Sequence, residues 1–296
     1  MKVVEIILSP IIAFVTGVFF LGLSRKIMAR IHWRYGPPLT QPVIDLIKLF
    51  NQTSMSHGSI FTLGIIISLA GSMVLVLFLP IGQFHPLSGS GGMLVILYIM
   101  LFGPLGIALS GGEAANPNTS IGISRTLILA LGYEVPLLLI ILAVMTHYKT
   151  ISIVEIVKVQ QNAGWSLVSF PLVVPGIAYL LILPAILGIR PFELVGAAQE
   201  ISSGPMVEYG GKYLALVTIQ HAFSLFVGIA LFVDLFLGGA RNPGYFIIKM
   251  LVVFVVEVLV HAVFPRFRIE QAIKYLWRWP TLVALIGLIL VFVIER

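Results

Sequence analysis

The chain contains no cysteine. Iron–sulfur clusters are held by cysteine thiolates and a disulfide needs two of them, so this chain can build neither, and any metal redox chemistry has to belong to a partner. Charge is scarce as well. Lys, Arg, Asp and Glu make up 10% of the 296 residues, hydrophobic residues make up 59%, and the mean hydropathy is +1.07. A soluble core cannot hide that much apolar surface. Long polar stretches are also missing: the longest gap between apolar runs is about 35 residues, with no low-complexity tract and no internal repeat. That leaves no room for a soluble domain, and nothing in the chain suggests a nucleic-acid partner.

The apolar residues come in uninterrupted blocks. About 20 residues at 1.5 Å per residue cross a hydrocarbon core of roughly 30 Å. Eight such spans are expected, near 5–24, 60–80, 92–110, 125–146, 170–188, 213–237, 246–264 and 280–294. The first carries Glu5 in its first turn, is too long for the apolar region of a signal peptide and has no small-residue cleavage site after it, so it is read as a helix that stays. Prolines inside several spans predict kinks. The fold class is therefore an all-α integral membrane protein of about eight transmembrane helices with structured cytoplasmic loops, and residues 1–296 form a single polytopic domain.

Eight spans put both termini on one side. The odd-numbered loops then hold 12 of the 18 lysines and arginines: Arg25, Lys26, Arg30, Arg34, Lys48, Arg125, Arg190, Lys212, Arg266, Arg268, Lys274 and Arg278. By the positive-inside rule these loops are cytoplasmic and both termini lie outside. Anionic lipid headgroups account for part of such a face. The loops are longer than lipid binding needs and alternate in sign, which suits docking of another protein. The fifth loop concentrates this pattern: RPFELVGAAQEISSGPMVEYGGK carries Arg190, Glu193, Glu200, Glu208 and Lys212.

Three carboxylates interrupt the spans: Glu134 in ALGYEVPLLL, Asp234 in ALFVDLFLGG and Glu257 in VFVVEVLVHAVF. Each costs about 2.5–3.5 kcal/mol at a helix centre and so needs a partner, a proton or a water-filled cavity. Glu134 and Glu257 fall near the midplane. Asp234 lies close to the outer surface, where pairing with Arg241 or Lys249 competes with a transport role. In the seventh span Lys249, Val253, Glu257 and His261 follow at i+4, which puts three ionisable groups on one helix face. Such a stripe reads equally as a proton or cation relay and as an interhelical polar clasp. His221 and His261 are the two histidines inside spans; their depths, roughly 12 and 5 Å from the cytoplasmic surface, match poorly for a shared haem.

Four loop segments carry a resemblance: SRKIMARIHWRYGPPLTQPVIDLIKLF, SIGISRTLILALGYEVP, RPFELVGAAQEISSGPMVEYGG and PRFRIEQAIKYLWRW. In order and over nearly the whole chain, they resemble the membrane anchor subunit shared by respiratory complex I (the NADH-quinone oxidoreductases), where it is subunit 1, and the energy-converting membrane-bound NiFe hydrogenases. The resemblance implies a subunit that anchors a cytoplasmic redox arm and begins the coupling path toward antiporter-like pumping subunits. It implies no catalytic, cofactor or metal site in this chain; 4Fe-4S clusters and a NiFe centre belong to hydrogenase-type partners. Its motif positions fall on Glu134, Asp234, Glu193, Glu200 and Glu208, and with Glu257, Lys249 and His261 of the seventh-span stripe these make the expected proton or ion pathway; docking of the redox arm is expected on Arg25, Arg34, Asp45, Lys48, Arg125, Arg190, Arg266 and Arg268.

Departures from the pattern separate the branches. Quinone-reducing relatives carry an asparagine and a glycine-rich insertion where GPPLTQP is compact here, and further glutamates where Gly196 and Ala198 stand; Ser24 replaces a common glutamate and His261 an arginine. These differences resemble the hydrogenase-type branch, a ferredoxin-oxidising complex that translocates protons or sodium. A complex I-type quinone reductase, a sulfur-reducing relative and a stand-alone cation transporter are the alternatives. The absence of an inverted repeat counts against the last.

Overall fold

The structure, a computed structural model, describes residues 2–87, 92–114 and 116–294; among them the regular elements are helices, with one isolated β-bridge between Ile81 and Phe84. The first helix, α1 (Lys2–Ile31), is 30 residues long. At 1.5 Å per residue it spans about 45 Å, so its last turns, with Arg25, Lys26 and Arg30, overrun the hydrocarbon. The chain then folds back on α1: Arg34 N–H donates to Ala29 O at 2.7 Å, and Gly36 sits at φ +74, where a Cβ would come 2.6 Å from that of Ala29. A short amphipathic helix follows, α2 (Gln41–Phe50), started by Pro42 and packed through Pro42 and Leu46 against α1. Its opposite flank, with Val43, Ile44 and Ile47, is exposed.

Next come α3 (Ser59–Phe78), α4 (Met93–Met100) and α5 (Phe102–Gly112). The last two together make one apolar rod of 20 residues. Pro104 explains the break, because its ring has no N–H and clashes with the carbonyl four residues back, at Met100. Then follow α6 (Pro117–Tyr148), capped by the Asn116 side chain on Asn118 N–H at 3.0 Å, and a second amphipathic helix, α7 (Ile153–Ala163). Beyond α8 (Val173–Ile186) a loop carries one turn, α9 (Ala198–Ile201), and a 3-10 turn at Gly204–Val207. The chain closes with α10 (Lys212–Phe236), α11 (Pro243–Val263) and α12 (Ile269–Ile294). In α12, Pro280 removes the bond to Leu276 O, and the Thr281 hydroxyl donates to that carbonyl instead, at 2.9 Å.

Among the described residues seven helical stretches, α4 and α5 together making one, are long and apolar enough to cross a membrane, as expected for an all-α integral membrane protein. The fifth expected span differs. In place of one helix over 170–188, α8 has 14 residues, about 21 Å, short of the roughly 30 Å of a hydrocarbon core. Turns and a bend over 166–172 precede it, with Leu172 buried, Val168 and Phe170 exposed, and Leu167 N–H bonded to Phe236 O at 3.0 Å. Apolar residues without regular hydrogen bonding look the same in sequence as apolar helix.

The hub is α10. Its most apolar stretch is 72% buried against 22% for α12, and it packs on α1, α2, α3, α7, α8 and α11. Helices in lipid associate through small residues that let backbones approach. Here Gly17 of α1 meets Ala222 of α10, where an added Cβ would lie 2.3 Å from Ala222 O, and Gly64 of α3 meets Gly106 of α5, at 2.6 Å from its carbonyl oxygen.

Candidate functional site

The odd loops gather at one end of the bundle and are held together by ion pairs. Glu193 is the best connected: its Oε2 accepts from Arg190 Nε at 3.1 Å and from Arg266 at 3.0 Å, so the fifth loop is clasped to the seventh. Arg125, at the start of α6, holds Glu200 at 2.8 Å. Glu208 takes His57 Nε2 at 3.0 Å and the Thr119 hydroxyl at 3.4 Å, joining the fifth loop to the first and to α6. Arg25 pairs with Asp45 at 3.0 Å, and Gln41 donates to the same carboxylate at 2.8 Å. The Gln41 hydrogen bond, with the Arg25 and Lys48 charges, holds the Asp45 carboxyl below its usual value. Burial pushes the Tyr209 phenol, in the same loop as Glu208, above its usual value.

Of the cations expected to face a redox arm, Arg25, Arg125, Arg190 and Arg266 make ion pairs within the chain, while Arg34, Lys48 and Arg268 present exposed side chains. Spacing along a chain reports charge, but the loop-to-loop partner of each charge is a tertiary fact.

Under the clasp lies a cavity of about 340 Å³ between α3, α5, α6, α8 and α10. Glu193, Val195 and Gly196 of the fifth loop line it, as do Tyr133 of α6 and Gln220 and His221 of α10. Gln220 donates to Ser72 and Ser224 at 3.2 and 3.3 Å, giving the cavity a hydroxyl-rich wall. His221 therefore lines this cavity, whereas His261 Nδ1 accepts from Arg190 N–H at 2.9 Å. Glu134, partly exposed, follows the cavity-lining Tyr133 on α6.

The stripe on α11 faces its own bundle. Val253 and Glu257 are buried, Glu257 at 2% exposure, with Lys249 and His261 partly covered above and below. Its ends act as clasps: Lys249 Nζ donates to Leu237 O at 2.7 Å and Gly239 O at 2.5 Å, satisfying carbonyls at the C-terminus of α10, and lies 5.2 Å from the Trp165 ring centroid. Gly239 at φ +51 makes that turn possible, and its missing Cβ leaves room for Asp234 Oδ1. Of the two roles open to Asp234, pairing with Lys249 or Arg241 and transport, the first is not made as a hydrogen bond. Asp234 has 0% exposure and neither carboxylate oxygen has a hydrogen-bond partner; Glu257 Oε2 also lacks one. Gln160 of α7, which the sequence pattern does not single out, bonds Asp234 O and Leu235 O at 3.1 and 2.9 Å. Its only signal is a polar residue on the apolar face of an amphipathic helix.

Among the described residues no group of three or more His, Cys, Asp and Glu side chains lies close enough to hold a metal ion. Fold and site define a polytopic helical membrane protein with an ion-paired loop face above a mainly apolar cavity and with carboxylates buried among its spans. The chain belongs to the NADH dehydrogenase family, which it matches over residues 3–292. It is 29% identical over 294 residues to a subunit of the NADH-quinone oxidoreductase of Dehalococcoides mccartyi (strain CBDB1), covering 93% of this chain and 82% of that protein. It is 31% identical over 229 residues to hydrogenase-4 component C of Escherichia coli (strain K12), covering 75% of this chain and 71% of that protein. A chain in the solved structure of the membrane-bound sulfane sulfur reductase, an archaeal respiratory membrane complex, superposes with a TM-score of 0.95 at 38% identity, over 98% of this chain and 99% of that one. The resemblance read from the four loops is borne out. Relatives of this chain are membrane subunits of complex I-like and hydrogenase-type complexes, a sulfur reductase among them.

Proposed function

We propose that this chain is the anchor and coupling subunit of a multisubunit, ferredoxin-oxidising complex of the hydrogenase type in the cell membrane, with both termini outside and the ion-paired loop face in the cytoplasm. The observation that carries this reading is Glu193: two arginines from two loops hold it at the rim of a mainly apolar cavity that reaches between the spans and carries Gln220, His221 and Ser224 on its wall. A charge change in a docked redox arm acts on that clasp. The exposed Arg34, Lys48 and Arg268 meet the arm, and Glu193, Glu200 and Glu208 exchange protons as it is reduced and reoxidised. Neighbouring charges set the affinity of such carboxylates for protons. From the cavity the path continues past Glu134 and the buried Glu257 toward antiporter-like neighbours.

With no cysteine and no metal-holding group among the described residues, this chain does not fit the ligation of a cluster, so the iron–sulfur and nickel–iron chemistry resides in cytoplasmic partners. A second reading, a complex that reduces a sulfur compound, is favoured by the 38% identity to the sulfane sulfur reductase chain. Purification through a tag on this chain, with metal analysis and assays on reduced ferredoxin, tests both. Nickel with hydrogen evolution supports the hydrogenase reading; iron without nickel and sulfide formation supports the second. A chain that purifies alone and transports ions in liposomes contradicts both.

A further inference from the structure

His57 stands between solvent and the least exposed carboxylate of the loop face. It lies in the segment after α2 that crosses to the start of α3, and its Nε2 is 3.0 Å from Glu208 Oε2. The His57 side chain is 41% exposed and that of Glu208 13%, so the imidazole covers the carboxylate and keeps its own outer edge in water. The other Glu208 oxygen faces the Thr119 hydroxyl. His57 is held edge-on against Phe61, with ring centroids 5.0 Å apart, and Phe61 packs on Tyr209 and Tyr213. A second carboxylate is close by: that of Glu113 lies against Gly58, the residue after His57, and accepts from Phe61 N–H. Two carboxylates thus flank an imidazole, the side chain that both accepts and donates a proton through its two ring nitrogens.

We infer that His57 is the proton donor and acceptor through which Glu208 exchanges protons with the aqueous phase. Water delivers a proton to Nδ1, the Nε2 proton passes to Glu208 Oε2, and the charge pair of imidazolium and carboxylate becomes a neutral imidazole and a carboxylic acid. The reverse sequence returns the proton, and exchange of the ring between its two tautomers resets it. This inference rests on the proposed proton exchange at the fifth loop and adds a residue to it that the four-loop resemblance does not assign.

The test uses the whole complex in liposomes and compares redox-driven ion translocation for Glu208→Gln, His57→Ala and His57→Gln. Glutamine donates a hydrogen bond to Glu208 but carries no proton. A proton-carrying role predicts that both His57 variants lose translocation by about ten-fold or more, and that imidazole added to His57→Ala restores it in proportion to the protonatable fraction of the added base. Full translocation in His57→Gln, or failure of imidazole to restore His57→Ala, overturns the inference, and the contact is then a structural clasp. If His57→Ala does not assemble, the His57→Gln result decides alone. Loss in Glu208→Gln with normal translocation in His57→Gln refutes the role of His57 and leaves the loop reading standing; normal translocation in Glu208→Gln refutes both.

Discussion

The backbone N–H of Arg190 donates to Nδ1 of His261 at 2.9 Å. That bond joins the loop residue that grips Glu193 to the helix that carries Glu257, so a movement of the clasp is felt one turn away from a buried carboxylate. Nδ1 acts as the acceptor only while it bears no proton, which assigns the neutral Nε2–H tautomer to His261.

Substituting His261→Phe keeps the ring volume and removes the acceptor. An orphaned donor in a partly buried site costs about 1–3 kcal/mol. The expected outcome is a lower melting temperature for the purified complex and faster hydrogen exchange over residues 188–196, with other loops unchanged. An unaltered exchange pattern would show that the bond holds nothing in place.

Glu193→Gln removes the charge that two arginines share. Both arginines retain solvent access, so screening limits the direct loss to about 1 kcal/mol. The clearer signature is ionic strength: protection of residues 188–196, next to Glu193, falls with added salt more steeply in the native protein than in the variant. Hydrogen exchange at two salt concentrations measures it.

How much of this is legible in the sequence differs by residue. Arg190, Glu193 and Arg266 are recognisable as one face, because charge in an apolar chain is conspicuous and loop parity sorts it by side. That Arg190 and Arg266 converge on Glu193 is not, since Glu193 and Arg266 lie 73 residues apart in different loops. The i+4 stripe on α11 is legible as a face; that Lys249 closes the end of α10 depends on backbone carbonyls, which have no sequence signature. The short α8 is hidden because turns and helix share one apolar composition. His57 looks like any loop histidine, and its only mark is the partner it meets.

Close helix contacts give a steric prediction. At Gly106 a side chain would meet Gly64 O and Ser68 at 2.6 Å, whereas nothing lies within 4 Å of a Cβ at Gly112 in the same helix. Gly106→Leu should separate α3 from α5 and abolish accumulation of folded protein in the membrane. Gly112→Ala should accumulate normally, as measured by detergent extraction and size-exclusion chromatography.

The Arg25–Asp45 pair gives a pH prediction. Asp45 has its folded pKa lowered, chiefly by Gln41, so its contribution to holding α2 is present above the unfolded value, near 3.9, and is lost as pH falls through the folded one. The protection factors of the α2 amides, corrected for the intrinsic pH dependence of exchange, should be steady from pH 7 to about 5 and fall in stronger acid. Asp45→Asn should show the loosened helix already at pH 7, with no further acid step of its own.

The central claim is that this chain passes protons from the loop face through its spans, and Glu134 tests it most directly. In the complete complex in liposomes, with redox turnover and ion translocation measured together, Glu134→Gln is expected to keep assembly and electron transfer while translocation per electron collapses. Unchanged translocation per electron in Glu134→Gln would contradict the account.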